Sequence, residues 1–464
     1  MSDKPMTAQL AQWIRAFDYD GVPDHVIELV KVSLLDALGG AFAATTHSEA
    51  AGNALAILEH FGDSNACTVI GQDRRLPMID AVFANGMLIR ALDFNDYLPR
   101  DPNDGATLGS HPSDNMAIGL AVGEQQEVSG RDFLAAMVMG YELNGRLIKL
   151  FDTDSDWDNT TTTGLVSPAI AGRLMNLDQE RLTSAIAFSL AHATSHKSVR
   201  RGHISAAKFL ADPIVAKNGV FATLLAAGGV PGPIEVFDGS FGLGQAVFSR
   251  GELSSLVRPL DKFYIFEGVC IKAYPIFANS QAAVSAAIEV KKAFKGSPDE
   301  ITAIGMTMAD VPAVTSQLDD VSRRYPKNQE TADHSFHFAV AVALIDGEVT
   351  LRSFENNRWE DPQVKALIDM IDIVPDKAWN TREHSGAPAS IEVTTRDGQT
   401  YAAEVAYQRG HVKNRMGADG ISEKFLSSVK DIVDPKRSAA IIDAVMTLER
   451  QKSLKPLMAL LGGR

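Results

Sequence analysis

PDHVIELVKVSLLDALGG, residues Pro23–Gly40, sets Val26, Ile27, Val30, Leu34, Ala37 and Leu38 close to a 3.6-residue period. Proline is tolerated in a first helical turn, because the N–H it lacks has no partner there. Gly39-Gly40 reads as a stop signal. The spacing predicts a helix with one face in a core, and the same pattern recurs outward from it. Glu49–Phe61 is rich in Ala and Leu, and Pro77 opens a segment running to about Ala91. Ser129 and Asp132 have the spacing of a capping box ahead of Phe133–Leu150. Leu177–Thr194 and Asp212–Ala227 are further expected helices, and Cys67–Ile70 is a short β-like run.

Composition shifts near Val257–Tyr274. Beyond it the reading is Asn279–Phe294 helical, Ile301–Met308 extended and Glu330–Ile345 helical. Ser390–Arg396 and Gln399–Tyr407 then form a hairpin over Asp397-Gly398, a dipeptide suited to tight turns. From Ile421 onward the pattern is helical again. The expected fold is mainly α: a large all-helical domain from residues 1–265 and 408–464, with a smaller α+β domain, 266–407, inserted.

The chain has 464 residues, 45% of them hydrophobic, and a net charge of −14. That charge argues against nucleic acid, which needs a basic face. Cys67 and Cys270 stand far apart, without the spacing of a disulfide framework or structural zinc site. The N-terminal residues lack a basic stretch leading into an apolar one. No run reaches the roughly 18 apolar residues of a membrane span. The expectation is a cytoplasmic protein with no membrane, metal or nucleic-acid partner.

Three places carry chemistry. Between Glu180 and Asp212 there is no acid, yet the stretch holds His192, His196, Lys197, Arg200, Arg201, His203 and Lys208. In so acidic a chain this reads as a local well for anions, or else as a solvated basic face. Next, Asp93 and Tyr97 follow an apolar helix, and a Pro/Asp/Gly-rich loop leads to His111. A carboxylate, a phenol and an imidazole on one loop suit acid–base work. The bland alternative is that Asp93 caps a helix end and His111 only packs. Asp101–Gly105 lacks the spaced acids of a calcium loop. Last, Lys272 sits among Val269, Cys270, Ile271, Tyr274 and Pro275, where it is either desolvated or snorkels to water. Gly239–Gly244 has no strand–loop–helix context for phosphate.

Taken together, several motifs give the chain a resemblance to the MmgE/PrpD family, which includes 2-methylcitrate dehydratase and cis-aconitate decarboxylase. They are Ala91–Asp96 with Ser110–Ser113, Val199–Lys208, Lys272–Pro275, Glu330–Ser335 and Arg409–His411. The resemblance implies a helical domain from both termini, an α+β lid, a homodimer, no cofactor and a small di- or tricarboxylate substrate. It places Asp93 on the family's first active-site aspartate, His111 on the histidine of its His-Pro pair, and Lys208 and Lys272 on two carboxylate-anchoring lysines. Tyr97 stands where relatives carry threonine, and His203 where they often carry lysine. Asn159 and Asn279 stand where many members have histidine. An asparagine hydrogen-bonds but exchanges no proton near neutrality.

The expected activity is a cofactor-independent lyase on such an acid, by dehydration or a related decarboxylation. Lys208 and Lys272 would stabilise developing charge. His111 would act as acid or base, with Asp93 setting its tautomer or acting directly, and Tyr97 would protonate a leaving hydroxyl. Asn159, Arg201, His203 and Asn279 would contact the substrate. The alternatives are an epimerase of a dicarboxylate such as iminodisuccinate and a non-catalytic carboxylate binder.

Overall fold

The computed structural model describes residues 4–463, apart from 63, 65, 102–106, 201–203, 261–263, 319 and 381–386. Pro23 does start a helix, but that helix, α2 (Asp24–His47, after α1, Met6–Ala16), does not stop at the glycines. It continues for another seven residues because Gly39 is a crossing point: a Cβ there would lie 3.3 Å from Phe425 Cδ2. The predicted apolar face is buried throughout, from Val26 to Leu38. Each large aliphatic side chain hidden this way contributes about 1.5–3 kcal/mol.

The helical part continues with α3 (Glu49–Ala56), α4 (Met78–Arg90), α5 (Met116–Gln125), α6 (Gly130–Leu150), α7 (Thr163–Leu174), α8 (Gln179–His192) and α9 (Ala207–Ala227). Ser129 caps α6 as its spacing predicts, accepting the Asp132 N–H at 3.1 Å. Two two-strand hairpins lie among these helices, β1 (Cys67–Thr68) with β2 (Arg75–Leu76) and β3 (Leu98–Arg100) with β4 (Thr107–Ser110). Helix α9 begins five residues before the expected Asp212, carrying Pro213 inside it rather than starting near it. Lys208 therefore stands on its first turn. Among the described residues α9 alone is long and apolar enough to cross a membrane, yet it packs against α4, α7 and α8.

Beyond residue 275 come α10 (Gln281–Ala293), α11 (Phe336–Asp346), α12 (Pro362–Met370) and a four-stranded sheet. Its order is β6 (Ile371–Asp376), β5 (Ile301–Ala309), β7 (Ala389–Thr395), β8 (Thr400–Val405). The β7–β8 hairpin turns through Gly398 at φ +83°, as the Asp-Gly pair implies. Two expectations change. Strand β6, parallel to β5, is unforeseen, because six residues that include Pro375 and two aspartates show no clean alternation. The helix expected over Glu330–Ile345 is broken into Gln329–Ala332 and α11. Ser335 restarts it by accepting the Phe338 N–H at 3.1 Å, so Asp333 and His334 fall in the break.

The chain closes with α13 (Ala418–Val429), α14 (Pro435–Met446) and α15 (Lys455–Leu461). Buried apolar residues form two clusters, one from Met6–Ile271 together with Met416–Leu461, the other from Ile276–Val393. The fold is thus mainly α with a smaller α+β region.

Candidate active site

Helix α4 ends at Arg90, and three residues later Asp93 takes φ +47°. Aspartate tolerates this left-handed conformation better than bulkier residues do. The turn folds the Asp93 carboxylate back onto the Arg90 guanidinium, 1% exposed, and the two are ion-paired. The segment holding Lys272 is stitched to the same loop: Tyr97 and Cys270 exchange backbone hydrogen bonds of 2.9 and 2.8 Å. Lys272 is fully buried, not snorkelled, and its Nζ donates to Asp93 Oδ2 at 2.7 Å and to the Asp93 carbonyl at 2.6 Å. From the first turn of α9, Lys208 Nζ reaches Asp93 Oδ1 at 3.4 Å. From the break before α11, His334 Nε2 stands 3.7 Å from Asp93 Oδ2, its Nδ1 bonded to Asp333 and its ring stacked on Phe277.

Both apolar clusters thus send groups to one buried carboxylate. Burial alone would raise the pKa of Asp93, but Lys208, Lys272, Arg90 and His334 outweigh it and hold the carboxyl well below its usual range. It stays ionised and is a poor base. Burial draws Lys272 down and Lys208 down to about 7, the Asp93 charge opposing both shifts.

His111 is held differently from the expectation. Its Nδ1 lies 2.7 Å from the backbone carbonyl of Asp96, not from the Asp93 carboxylate. A carbonyl only accepts, so Nδ1 carries the proton and Nε2 is left with its lone pair. Burial, then the positive fields of Arg90 and Lys272, keep the ring well below the usual histidine range and therefore neutral. Asp96 is fixed in turn by the Tyr141 hydroxyl at 2.8 Å and the Ser113 N–H at 3.1 Å.

His111 borders a small polar pocket, partly open to solvent, with Ser110, Asp114, Asn144, Asn159, Arg200 and Asp212 among its walls. Asn159 donates to the Gly109 carbonyl at 2.9 Å and accepts from Arg200 Nη2 at 3.0 Å, while Arg200 Nε holds Asp158 at 2.6 Å. Asn159 therefore steers Arg200, whose five N–H groups leave others for a ligand. Of the basic run, Lys197 is spent on the Thr153 and Ser155 carbonyls, and Arg201 and His203 lie outside the described residues. The Tyr97 hydroxyl is engaged by Gln408 and the Cys270 thiol, which does not put it among the groups around Asp93. Asn279 is half-buried on the turn Ala278–Ser280, two residues past Phe277.

Arg90 and His334 are not singled out by the sequence. A lone arginine closing the mostly apolar run from Met78 to Ile89 is one signal that could have found the first. An Asp-His pair at the foot of the very apolar run of α11 could have found the second. Gly410 is a further support. At φ +89° its carbonyl accepts the Ile271 N–H at 2.9 Å, and a Cβ there would meet the Ile271 carbonyl oxygen at 2.0 Å. Gly410→Ala is expected to cost about 1–3 kcal/mol and lower Tm, since it strains the backbone beside Lys272. An unchanged melt would show that the contact relaxes freely.

The chain belongs to the MmgE/PrpD family: that family's N-terminal domain matches residues 8–255 and its C-terminal domain residues 274–450. Among its relatives, the cis-aconitate decarboxylase of Homo sapiens is 27% identical, covering 99% of this chain and 95% of its own. The 2-methylcitrate dehydratase of Cupriavidus necator is 26% identical over 84% of this chain and 83% of its own. The enzyme of that name from Salmonella typhimurium is 25% identical over 84% and 83%.

Proposed function

We propose that this chain is a lyase that acts on a small di- or tricarboxylic acid through side chains alone, removing water or carbon dioxide. The observation that carries the reading is the Asp93 cluster: three buried cations and a histidine gathered on one carboxylate, beside a polar pocket bordered by a neutral histidine. The names of the relatives support the same chemistry. In a protein of net charge −14 this is where an anion finds positive potential.

Abstraction of a proton α to a carboxylate moves charge onto its oxygens, and preorganised N–H donors lower the barrier to that. Lys208, the more loosely held lysine, and Arg200 have donors to spare for substrate carboxylates. Lys272 commits two of its three N–H groups to Asp93 and fixes the cluster. His111 Nε2 serves as the base. The protein works in the cytoplasm as a homodimer. A second reading, epimerisation, draws support from the placement of Tyr97, since return of the proton needs no protonated leaving group.

Proton NMR in heavy water with citrate, 2-methylcitrate, cis-aconitate and iminodisuccinate tests this. The expected result is a vinylic product, or loss of vinylic cis-aconitate. Deuterium entering an α-carbon without a new product would replace the lyase by an epimerase. Ligand-induced thermal stabilisation without any turnover would replace both by a carboxylate binder.

A further inference from the structure

Two carboxyl groups in the pocket wall have no part in the scheme above. Asp114 lies on the 3-10 turn Pro112–Asn115 and Asp212 on α9, both 5% exposed, and they line the same small pocket, close enough for one carboxyl to hydrogen-bond to the other. Two carboxylates cannot do this without a proton between them. Two side-chain donors bond to the pair, and Arg90 stands close without bonding to it. Asn95 Nδ2 donates to Asp114 Oδ1 at 2.7 Å, Arg90 Nε stands 3.5 Å from Asp114 Oδ2, and Thr163 Oγ1 donates to Asp212 Oδ1 at 2.8 Å. Arg200 is the further cation beside Asp212, and Asp96 the further anion beside Asp114. Burial and the mutual repulsion of the pair raise Asp114 well above the carboxylate range, and burial also raises Asp212.

The same wall bears an independent sign of a polar occupant. Ser110 Oγ and Asn144 Oδ1 are buried, on residues 5% and 3% exposed, and have no hydrogen-bond partner among the described residues. Buried polar atoms left this way are costly unless something arrives to pair with them.

We propose that Asp114 and Asp212 hold one shared proton in the pocket wall, and that this proton goes to the leaving group, making the pair the general acid that complements His111. The inference rests on the lyase reading. In the dehydration, His111 Nε2 takes the α-proton, and the C–H electron pair becomes the new C=C bond. The bond from the β-carbon to its hydroxyl breaks with the pair remaining on oxygen, which receives the shared proton and leaves as water. His111 is then an imidazolium and the pair a dianion. Passage of one proton from the first to the second restores both, and nothing is oxidised or reduced.

The experiment is infrared difference spectroscopy of the ligand-free protein at neutral pH, wild type minus Asp114→Asn and wild type minus Asp212→Asn, joined to their kinetics. Subtraction removes the signal of other buried acids that hold protons near neutrality, such as Glu142, which burial pushes up to about 7. Because one proton is shared, each substitution is expected to remove the same protonated-carboxyl band, since either lone survivor ionises beside Arg90 or Arg200. Each is also expected to lower kcat about 100-fold or more with KM little changed. Asp212→Glu, which keeps the carboxyl, is expected to retain the band, and it stands in if an asparagine variant fails to fold. Absence of the band from the differences overturns the shared proton. Asparagine variants with wild-type kcat overturn its role as acid. The spectra need no substrate, so they stand even if every candidate acid fails to turn over.

Discussion

His111→Gln is expected to lower kcat by about 100- to 10,000-fold while KM changes little, the loss associated with removing a positioned general base. Glutamine can still donate to the Asp96 carbonyl that now holds Nδ1 at 2.7 Å, so the local fold is preserved. It has no basic nitrogen. The pH profile gives a second check. The base works unprotonated, and its folded pKa lies well below the ordinary 6.5, so the acid limb of wild-type kcat/KM should lie well below 6.5, where Nε2 takes up a proton, while Lys208, at about 7, sets the fall on the alkaline side. That acid limb should be missing from the residual activity of the variant. A variant within tenfold of wild type would remove His111 from the reaction.

Asp93→Asn should have the largest effect on stability, about 3–5 kcal/mol, the usual cost of leaving a buried charge without its partner. Here Lys208 and Lys272 lose theirs, and Arg90 keeps only Asp114 at 3.5 Å. The backbone is not the cause, since asparagine suits φ +47° as well as aspartate does. The pH dependence follows from linkage. Asp93 has a depressed folded pKa, so its contribution is complete above the unfolded value of about 3.8 and disappears as pH falls through the folded one. Lys208, at about 7 folded against 10.5 unfolded, gives stability that rises with pH over that interval. Without Asp93 the lysines are depressed further, so the penalty eases in alkali as well as in acid. The gap between wild type and variant should therefore be widest near pH 5–7, about where both lysines are charged and Asp93 would be ionised. Urea midpoints across pH measure it, and equal midpoints would show that Asp93 does not hold the cluster.

How much of this was legible in the sequence depends on what each residue leans on. Lys272 stands out as a charge among apolar residues, Asp93 as a carboxylate on a loop with a phenol and an imidazole, and Lys208 as one of a basic run from which the family resemblance selects it; the structure brings all three together. Arg90 and His334 are hidden by helices that read as core. The partner of His111 is a backbone carbonyl, and no side-chain pattern points to one. Asp114 and Asp212 are ordinary residues until folding makes them neighbours. Most long helices are legible from period and caps, though Met6–Ala16, Met116–Gln125 and Thr163–Leu174 are not foreseen, and the break at Asp333–Ser335 is set by one capping serine. Gly39-Gly40 misleads because glycine marks a helix end and a close crossing equally well.

That crossing also constrains the order in which the chain can become a protein on the ribosome. The face of α2 around Gly39 is covered by Phe425, nearly four hundred residues later. The buried cluster within Ile276–Val393 draws on one continuous stretch and can consolidate while the tail is still being synthesised. The larger one cannot, and its first helices must wait with apolar surface showing until the last three helices emerge to cover them. A nascent chain stalled just short of residue 416 is therefore the natural client of a chaperone, and the final tenth of the sequence decides whether the first half survives.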